Sequence, residues 1–500
     1  MKMIYKSEME IAKNGSIVPV FSNGKLVHSK YNPQSECSRM SGVKGLFSVV
    51  IGLGGGYHIE AIHRANPEMM IVVVEENSVD FEFLSAIPCV KELCNSDKII
   101  FCGKENIAKI LLSSYIPVFH GDMNIISLHS WAANFPDLDA EIRLIISATL
   151  KNISADFSVQ AHFGRHWHRN ILMNLKSAAV FAPTVLPRVD GRTAAVVAAG
   201  PTLDFSVRIL KENREKYFVI ATDTAFTALS RFGISADAVV SIDAQNVSFR
   251  HFLHFPEKNP PICVFDLGSP HSSVAQAARH GASVIFASSA HPLEMLSRQF
   301  GSFPILESGA GTVTIAASDF ARLCGFSRIE LFGADFSYSH GKPYAKGTYL
   351  DDIFAFDSSR ISNAESAFCT LMFRTELKSE NGVFTTEMLK KYSATTDDFF
   401  SSHGFFKDVS SAEKKVFCAS KTVSAPKNAQ KNTAKKFDFA NFRDFLLSET
   451  EKLLSDKDIK KHREAFFAHL PAIAAISQKK NLPFFALLKL AYEASVRYTV

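Results

Sequence analysis

Cysteine is sparse in this 500-residue chain: there are 8, and no two are spaced Cys-x-x-Cys. That excludes a zinc ribbon and gives no disulfide framework. No uninterrupted apolar stretch reaches the roughly 20 residues of a membrane helix. The opening Met1-Lys2-Met3-Ile4-Tyr5-Lys6-Ser7-Glu8 has no signal-peptide core. Charge of one sign is also scarce: 55 Lys and Arg against 50 Asp and Glu leave a net +5. So thin a basic field argues against a nucleic-acid binder. No Gly-x-x-x-x-Gly-Lys-Ser/Thr phosphate loop occurs. These absences predict a cytoplasmic protein, with neither nucleic acid nor membrane insertion among its partners.

What is present describes a folded chain of several domains, with 47% hydrophobic and 21% charged residues. Apolar runs at 46–53, 70–74, 98–101 and 123–126 alternate with helical periodicity. That alternation predicts a Rossmann-like parallel sheet in an N-terminal domain, 1–135. Residues 136–190 carry apolar residues at helical spacing and predict a helical connector. In 191–410 the runs 194–199, 218–222, 238–242, 262–265, 284–287 and 329–332 predict a second parallel sheet covered on both faces. Lysines interleaved with Ser, Ala, Asn and Thr predict a solvated linker over 411–436. A helical region, 437–500, closes the chain. The fold class is therefore α/β, two Rossmann-like domains joined by helix.

Chemistry is expected at the carboxyl ends of the second sheet's strands, where parallel sheets bind ligands. Gly200-Pro201-Thr202-Leu203 follows the first of them and precedes a helix. Such a turn either cradles a phosphate, with glycine allowing close approach, or is an ordinary strand-to-helix turn capped by Thr202. Asp223 and Asp243, with Gln245, end the next two strands. These carboxylates could hold a ribose, a base amino group or Mg²⁺, or only cap helices. Ser308-Gly309-Ala310-Gly311-Thr312 opens a further helix as a second anion site. Gly333-Ala334-Asp335 ends the last strand, and Tyr338, His340, Lys342 and Tyr344 follow within ten residues. Acid–base work and anion neutralisation both need such groups.

Two other patterns compete. Gly52-x-Gly54-x-Gly56, with Glu75 after the next strand, imitates a dinucleotide or methyltransferase turn. His162, His166 and His168 are either metal ligands or a polar packing face.

Gly200-Pro201-Thr202-Leu203, Thr222-Asp223-Thr224-Ala225, Val239 to Asp243 and Gly325 to Asp335 resemble the motility-associated factor (Maf) flagellin glycosyltransferases. The central domain of that family is classed as 6-hydroxymethylpterin diphosphokinase MptE-like. Val27 to Pro33, and Trp167 with Asn170 and Asn174, resemble further family segments. A more distant resemblance is to bacterial sialyltransferases, through Gly333-x-Asp335-Phe336 followed by two tyrosines. These resemblances imply transfer of a nonulosonic sugar from a CMP-activated donor to Ser or Thr of flagellin. They imply a donor site at Gly200 to Leu203, with Asp223, Asp243, Gln245, Ser308, Gly309, Gly311, Thr312 and Gly333 around the nucleotide. Tyr338 and Tyr344 would help CMP depart, Asp335 lies in the same segment, and His340 or His403 would be the base. On this reading no cofactor is required, and Mg²⁺ remains open, with Asp223 and Asp243 its ligands if used. The alternatives are pyrophosphate transfer from ATP to a pterin alcohol and a non-catalytic flagellin-binding protein.

Overall fold

The computed structural model describes residues 3–181, 185–187, 189, 191–256, 259–307, 311–380, 382–408, 415–419 and 435–499. The chain divides into two compact units, Met1–His162 and Phe163–Val500.

In the first unit, β1 (Glu10–Ile11) and β2 (Ile17–Val18) form a short antiparallel pair. β3 (Phe47–Ile51), β4 (Met70–Glu75), β5 (Ile99–Gly103) and β6 (Met123–Ser127) form a parallel sheet in the order β5-β4-β3-β6. The central strands are β-branched runs, Val49-Val50-Ile51 against Val72-Val73-Val74, buried on both faces. The expected connector is one helix, Pro136–Ala178, that begins with proline and two first-turn aspartates.

The second unit is built on an eight-stranded sheet. Its parallel strands are β7 (Thr193–Val197), β8 (Tyr217–Thr222), β9 (Ala238–Ser241), β10 (Ile262–Asp266), β11 (Val284–Ala287) and β12 (Arg328–Phe332). β13 (Lys378–Glu380) and β14 (Val383–Thr385) make a separate hairpin. β15 (Phe405–Asp408) and β16 (Lys415–Ala419) add antiparallel at the β12 edge, giving the order β11-β10-β9-β8-β7-β12-β16-β15. The alternation of strand side chains sorts them onto two faces. Ala195, Val197, Val219 and Ala221 pack with Leu203, Phe226 and Leu229. Ala194, Val196, Phe218 and Ile220 pack with Ile315, Ala316 and Phe320 of the helix Val313–Cys324. The chain leaves β7 toward β8, and β12 returns on β7's other side, so the switch point lies between β7 and β12.

β16 corrects the reading of 411–436 as linker. Val416 and Phe417 are buried, and the Phe417 ring stacks on Phe400 at 3.7 Å. The flanking lysines mask a five-residue strand whose apolar side chains cover the edge of β12. Residues 409–414 and 420–434 lie outside the described residues. Helices Phe439–Asp456, Arg463–Ser477 and Phe484–Thr499 form the C-terminal helical region. Among the described residues no helix is long and apolar enough to cross a membrane.

Candidate functional site

The loops after β7 and β12 are knitted together at the switch point. Ala198 N donates to Phe332 O and Gly200 N to Gly333 O, both at 2.8 Å, which extends the ladder past the strand ends. Neither glycine tolerates a side chain. A Cβ on Gly200 would lie 2.4 Å from Gly333 O, and one on Gly333, where φ is +61°, 2.3 Å from Ala198 O. Thr202 donates its backbone N–H to Asp335 Oδ2 at 2.9 Å and its hydroxyl to Asp335 Oδ1. Burial pushes the Asp335 carboxyl up, against the lowering effect of these bonds. Thr202 therefore does not cap the following helix with its side chain, and the Gly200 and Thr202 N–H groups are spent on the β12 loop. The glycine serves contact between the two loops.

Above them opens a pocket of about 330 Å³. Ala198 to Gly200 and Gly333 to Ala334 are part of its lining. Thr222, Thr224, Thr312 and Thr314 line it, with the N-terminal end of the helix Val313–Cys324. Tyr338, Tyr344 and Tyr392 line it as well. Burial pushes the Tyr344 phenol up to about 12, reinforced by Tyr349, Tyr338, Asp223 and Tyr392. Burial raises Tyr338 as well. Both phenols therefore stay protonated donors at neutral pH. Among the described residues Asp335 is the carboxylate of the lining, and no Lys, Arg or His lines the pocket.

Of the residues expected from sequence, the pocket gathers Gly200, Gly311, Thr312, Gly333, Asp335, Tyr338 and Tyr344. Ser308 and Gly309 lie outside the described residues. Pro201 and Leu203 are buried beneath the turn. Asp223 is a buried brace: Oδ1 accepts from Thr224 N at 2.7 Å and Oδ2 from Ser241 Oγ at 2.7 Å. Asp243 closes a local turn, accepting from Gln245 N and Ser248 Oγ, and neither Asp243 nor Gln245 lines the pocket. Asp223 and Asp243 belong to no group of three or more potential metal ligands among the described residues.

His340 is likewise outside the pocket. Its left-handed backbone, φ +55°, sets the ring against Phe205 at 4.9 Å. His403 pairs with Glu307 at 3.2 Å. Lys342 pairs with Asp204 at 3.4 Å. The base role expected of a histidine thus has no histidine in the lining to perform it. Sequence reasoning missed Tyr392, Thr222, Thr224 and Thr314. The helix Glu387–Ser402 brings Tyr392 against Gly311, and Leu389 at i−3 lines the same pocket.

The glycine turn of the first unit is filled by its own side chains. Gly52 faces Trp131, and a Cβ on Gly54 would meet His28, Val27 and Leu128 at 2.8 Å. Gly55 N donates to His28 Nε2 at 2.9 Å. Glu75 accepts from Leu53 N at 2.7 Å and Trp131 Nε1 at 2.8 Å. Val27, His28, Leu128 and Trp131 pack directly against this turn. Asn170 and Asn174 also have structural partners. Asn170 Nδ2 holds Gly268 O, and Asn174 Nδ2 holds Leu267 O and Ser269 O, all within 2.9 Å. They clamp the loop after β10.

Residues 169–341, which contain most of this pocket, match the family described as 6-hydroxymethylpterin diphosphokinase MptE-like. One uncharacterized protein of Treponema pallidum (strain Nichols) is 38% identical over 144 residues, 28% of this chain and 68% of that protein. Another from the same organism is 30% identical over 304 residues, 58% of this chain and 98% of that protein. The chain belongs to their family and carries an MptE-like domain. A solved structure, the Maf glycosyltransferase from Magnetospirillum magneticum AMB-1, superposes with a TM-score of 0.51 at 13% identity, covering 100% of this chain and 92% of the other. That likeness shows a shared fold. Pro343, Tyr344, Leu371, Leu389 and Tyr392 of the lining come from chain beyond the matched MptE-like residues.

Proposed function

We propose that the chain is a glycosyltransferase that moves a nonulosonic sugar from a CMP-activated donor to a Ser or Thr hydroxyl of flagellin. The observation that carries this reading is the pocket lining: three phenols and four threonines around a helix N-terminus, with one carboxylate and no cation. Such donors suit a leaving group with a single phosphate. As the bond from the sugar's anomeric carbon to the phosphate oxygen breaks, CMP takes the electron pair. Tyr338 and Tyr344 donate hydrogen bonds to its oxygens. The acceptor hydroxyl attacks the anomeric carbon, and Asp335, the lining carboxylate, takes its proton. The superposition on a Maf glycosyltransferase supports the same class. Pyrophosphate transfer from ATP, suggested by the family description, needs Mg²⁺ held by carboxylates. Asp223 and Asp243 are committed elsewhere.

The test is a thermal-shift panel of CMP, CDP and ATP with and without Mg²⁺. CMP at one hundredfold over its Kd stabilises by about 2.7 kcal/mol. A shift from ATP with Mg²⁺, and none from CMP, sinks the reading.

A further inference from the structure

The turn between the helices Phe439–Asp456 and Arg463–Ser477 closes on one histidine. His462 stands at the N-cap of the second helix and is only 3% exposed. Both of its ring nitrogens meet carboxylates of the first helix. Nδ1 lies 2.7 Å from Glu449 Oε2, and Nε2 lies 3.0 Å from Asp456 Oδ2.

The two acids are kept ionised by their other partners. Lys452 Nζ donates to Glu449 Oε1 at 2.7 Å and Lys461 Nζ to Asp456 Oδ2 at 3.2 Å. Asp458 N donates to Asp456 Oδ1 at 3.0 Å. That backbone bond, with the His462 ring, holds the Asp456 carboxyl down to about 2, and Lys452 and His462 lower Glu449. Ionised carboxylates only accept. A neutral imidazole has a single N–H, so it would turn a lone pair onto one of the two oxygens. The imidazolium alone donates to both. These bonds raise His462 above its ordinary value.

The neighbouring titratable groups leave this charge in place. Asp458 accepts from Lys461 N at 3.1 Å, adding a further acid to the turn. The helix Phe484–Thr499 brings the Tyr492 phenol to Glu451. His469, two turns further along its helix, bonds Thr450 Oγ1 at 3.0 Å, and burial keeps it neutral.

We propose that His462 is a charge-dependent latch: as an imidazolium it clasps Glu449 and Asp456 and pins the start of the helix Arg463–Ser477, and loss of its proton above neutral pH releases the turn 457–462. The native value lies above the unfolded value of about 6.5. The latch therefore contributes fully below that pH, and its contribution is lost as pH rises through the native value. Arg463, Glu464 and Phe467, just beyond it, line a cavity of about 480 Å³ against the helix Pro292–Ser297. Gln299 Nε2 donates to Glu464 Oε1 there at 2.7 Å. Release acts on this seam between the C-terminal helices and the sheet.

The first test is nitrogen NMR of the full chain labelled at histidine, with His462 assigned by the signals missing from His462→Gln. Both ring nitrogens should show the imidazolium shift at pH 7. The midpoint should lie above 7 and drop to about 6.5 or below in the double variant Glu449→Gln, Asp456→Asn. A neutral His462 at pH 7, or a midpoint that the double variant leaves unchanged, overturns the proposal. The second test is hydrogen exchange over 457–465, corrected for its intrinsic pH dependence. Opening in the wild type should grow by up to about tenfold per pH unit between 6.5 and the midpoint, then level off. His462→Gln should exchange fast at every pH. A flat wild-type profile, or the same profile in both proteins, refutes the latch.

Discussion

Thr202 and Asp335, separated by 133 positions, are bonded twice, through the threonine's backbone N–H and its hydroxyl. The pair joins the β7 and β12 loops under the pocket. Asp335→Asn presents an amide donor to one of two donors, so it should lower the unfolding free energy by about 2 kcal/mol. Thr202→Ser, which keeps both donors, should leave stability within about 0.5 kcal/mol of wild type. Urea denaturation of the two variants measures this.

Gly333→Ala should destabilise by more than about 3 kcal/mol, because its Cβ meets the Ala198 carbonyl and its φ is left-handed. Gly281→Ala is the control. Its φ is +73° with nothing within 4 Å of the Cβ, so it should cost only about 1–2 kcal/mol. Equal losses in thermal melts would show that the contact with Ala198 is not what Gly333 provides. Gly200→Val, for the same reason, would report on folding before it reported on nucleotide.

Sugar transfer should persist in excess EDTA and fall at least a hundredfold in kcat for Tyr338→Phe, Tyr344→Phe, each phenol being worth about 2 kcal/mol or more in the transition state. Activity lost in EDTA and restored by Mg²⁺ would replace the phenol mechanism with a metal one. Tyr392→Phe should weaken donor binding with a smaller effect on kcat.

Stability should fall on acidification. Burial lowers His168 to about 4 and His291 to about 3, and pushes His469 well down. Their folded values lie below the unfolded value of about 6.5, so the unfolded state binds more protons between these limits. The stability they share is intact above pH 6.5 and is lost as pH drops toward 4, at about 1.4 kcal/mol per unit for each ring. Burial raises Asp266 to about 6 and pushes Glu294 well up, and both act oppositely, losing stability as pH rises. Urea titrations between pH 8 and 5 should show a slope that His168→Phe reduces by about one proton. An unchanged slope would mean His168 is charged in the native protein.

The sheet was legible where strands are continuous apolar runs, as at 70–74 and 284–287, because burial on both faces leaves no room for polar residues. The ligand edge was legible for the same reason: carboxyl ends of parallel strands follow from strand order. What escaped depends on contacts distant in sequence. Tyr392 reaches the pocket only because the chain after β12 makes an excursion and comes back. His340 looked well placed, but one left-handed residue carries it out. Thr222 and Thr224 flank Asp223 and line the pocket, whereas the Asp223 carboxylate is bonded to Ser241 and Thr224 N. Lys415 and its neighbours read as solvated because charge density hides a strand as short as β16.

The late arrival of β16 sets an order of assembly. β12 pairs with β7 on one side and with β16 on the other, and among the described residues β16 is the last strand to leave the ribosome. Until residue 419 has emerged, the edge of β12 is an open template for pairing with another chain. Newly made chains truncated before β16 should therefore be the aggregating species, and the full-length chain should seal that edge with its own strand.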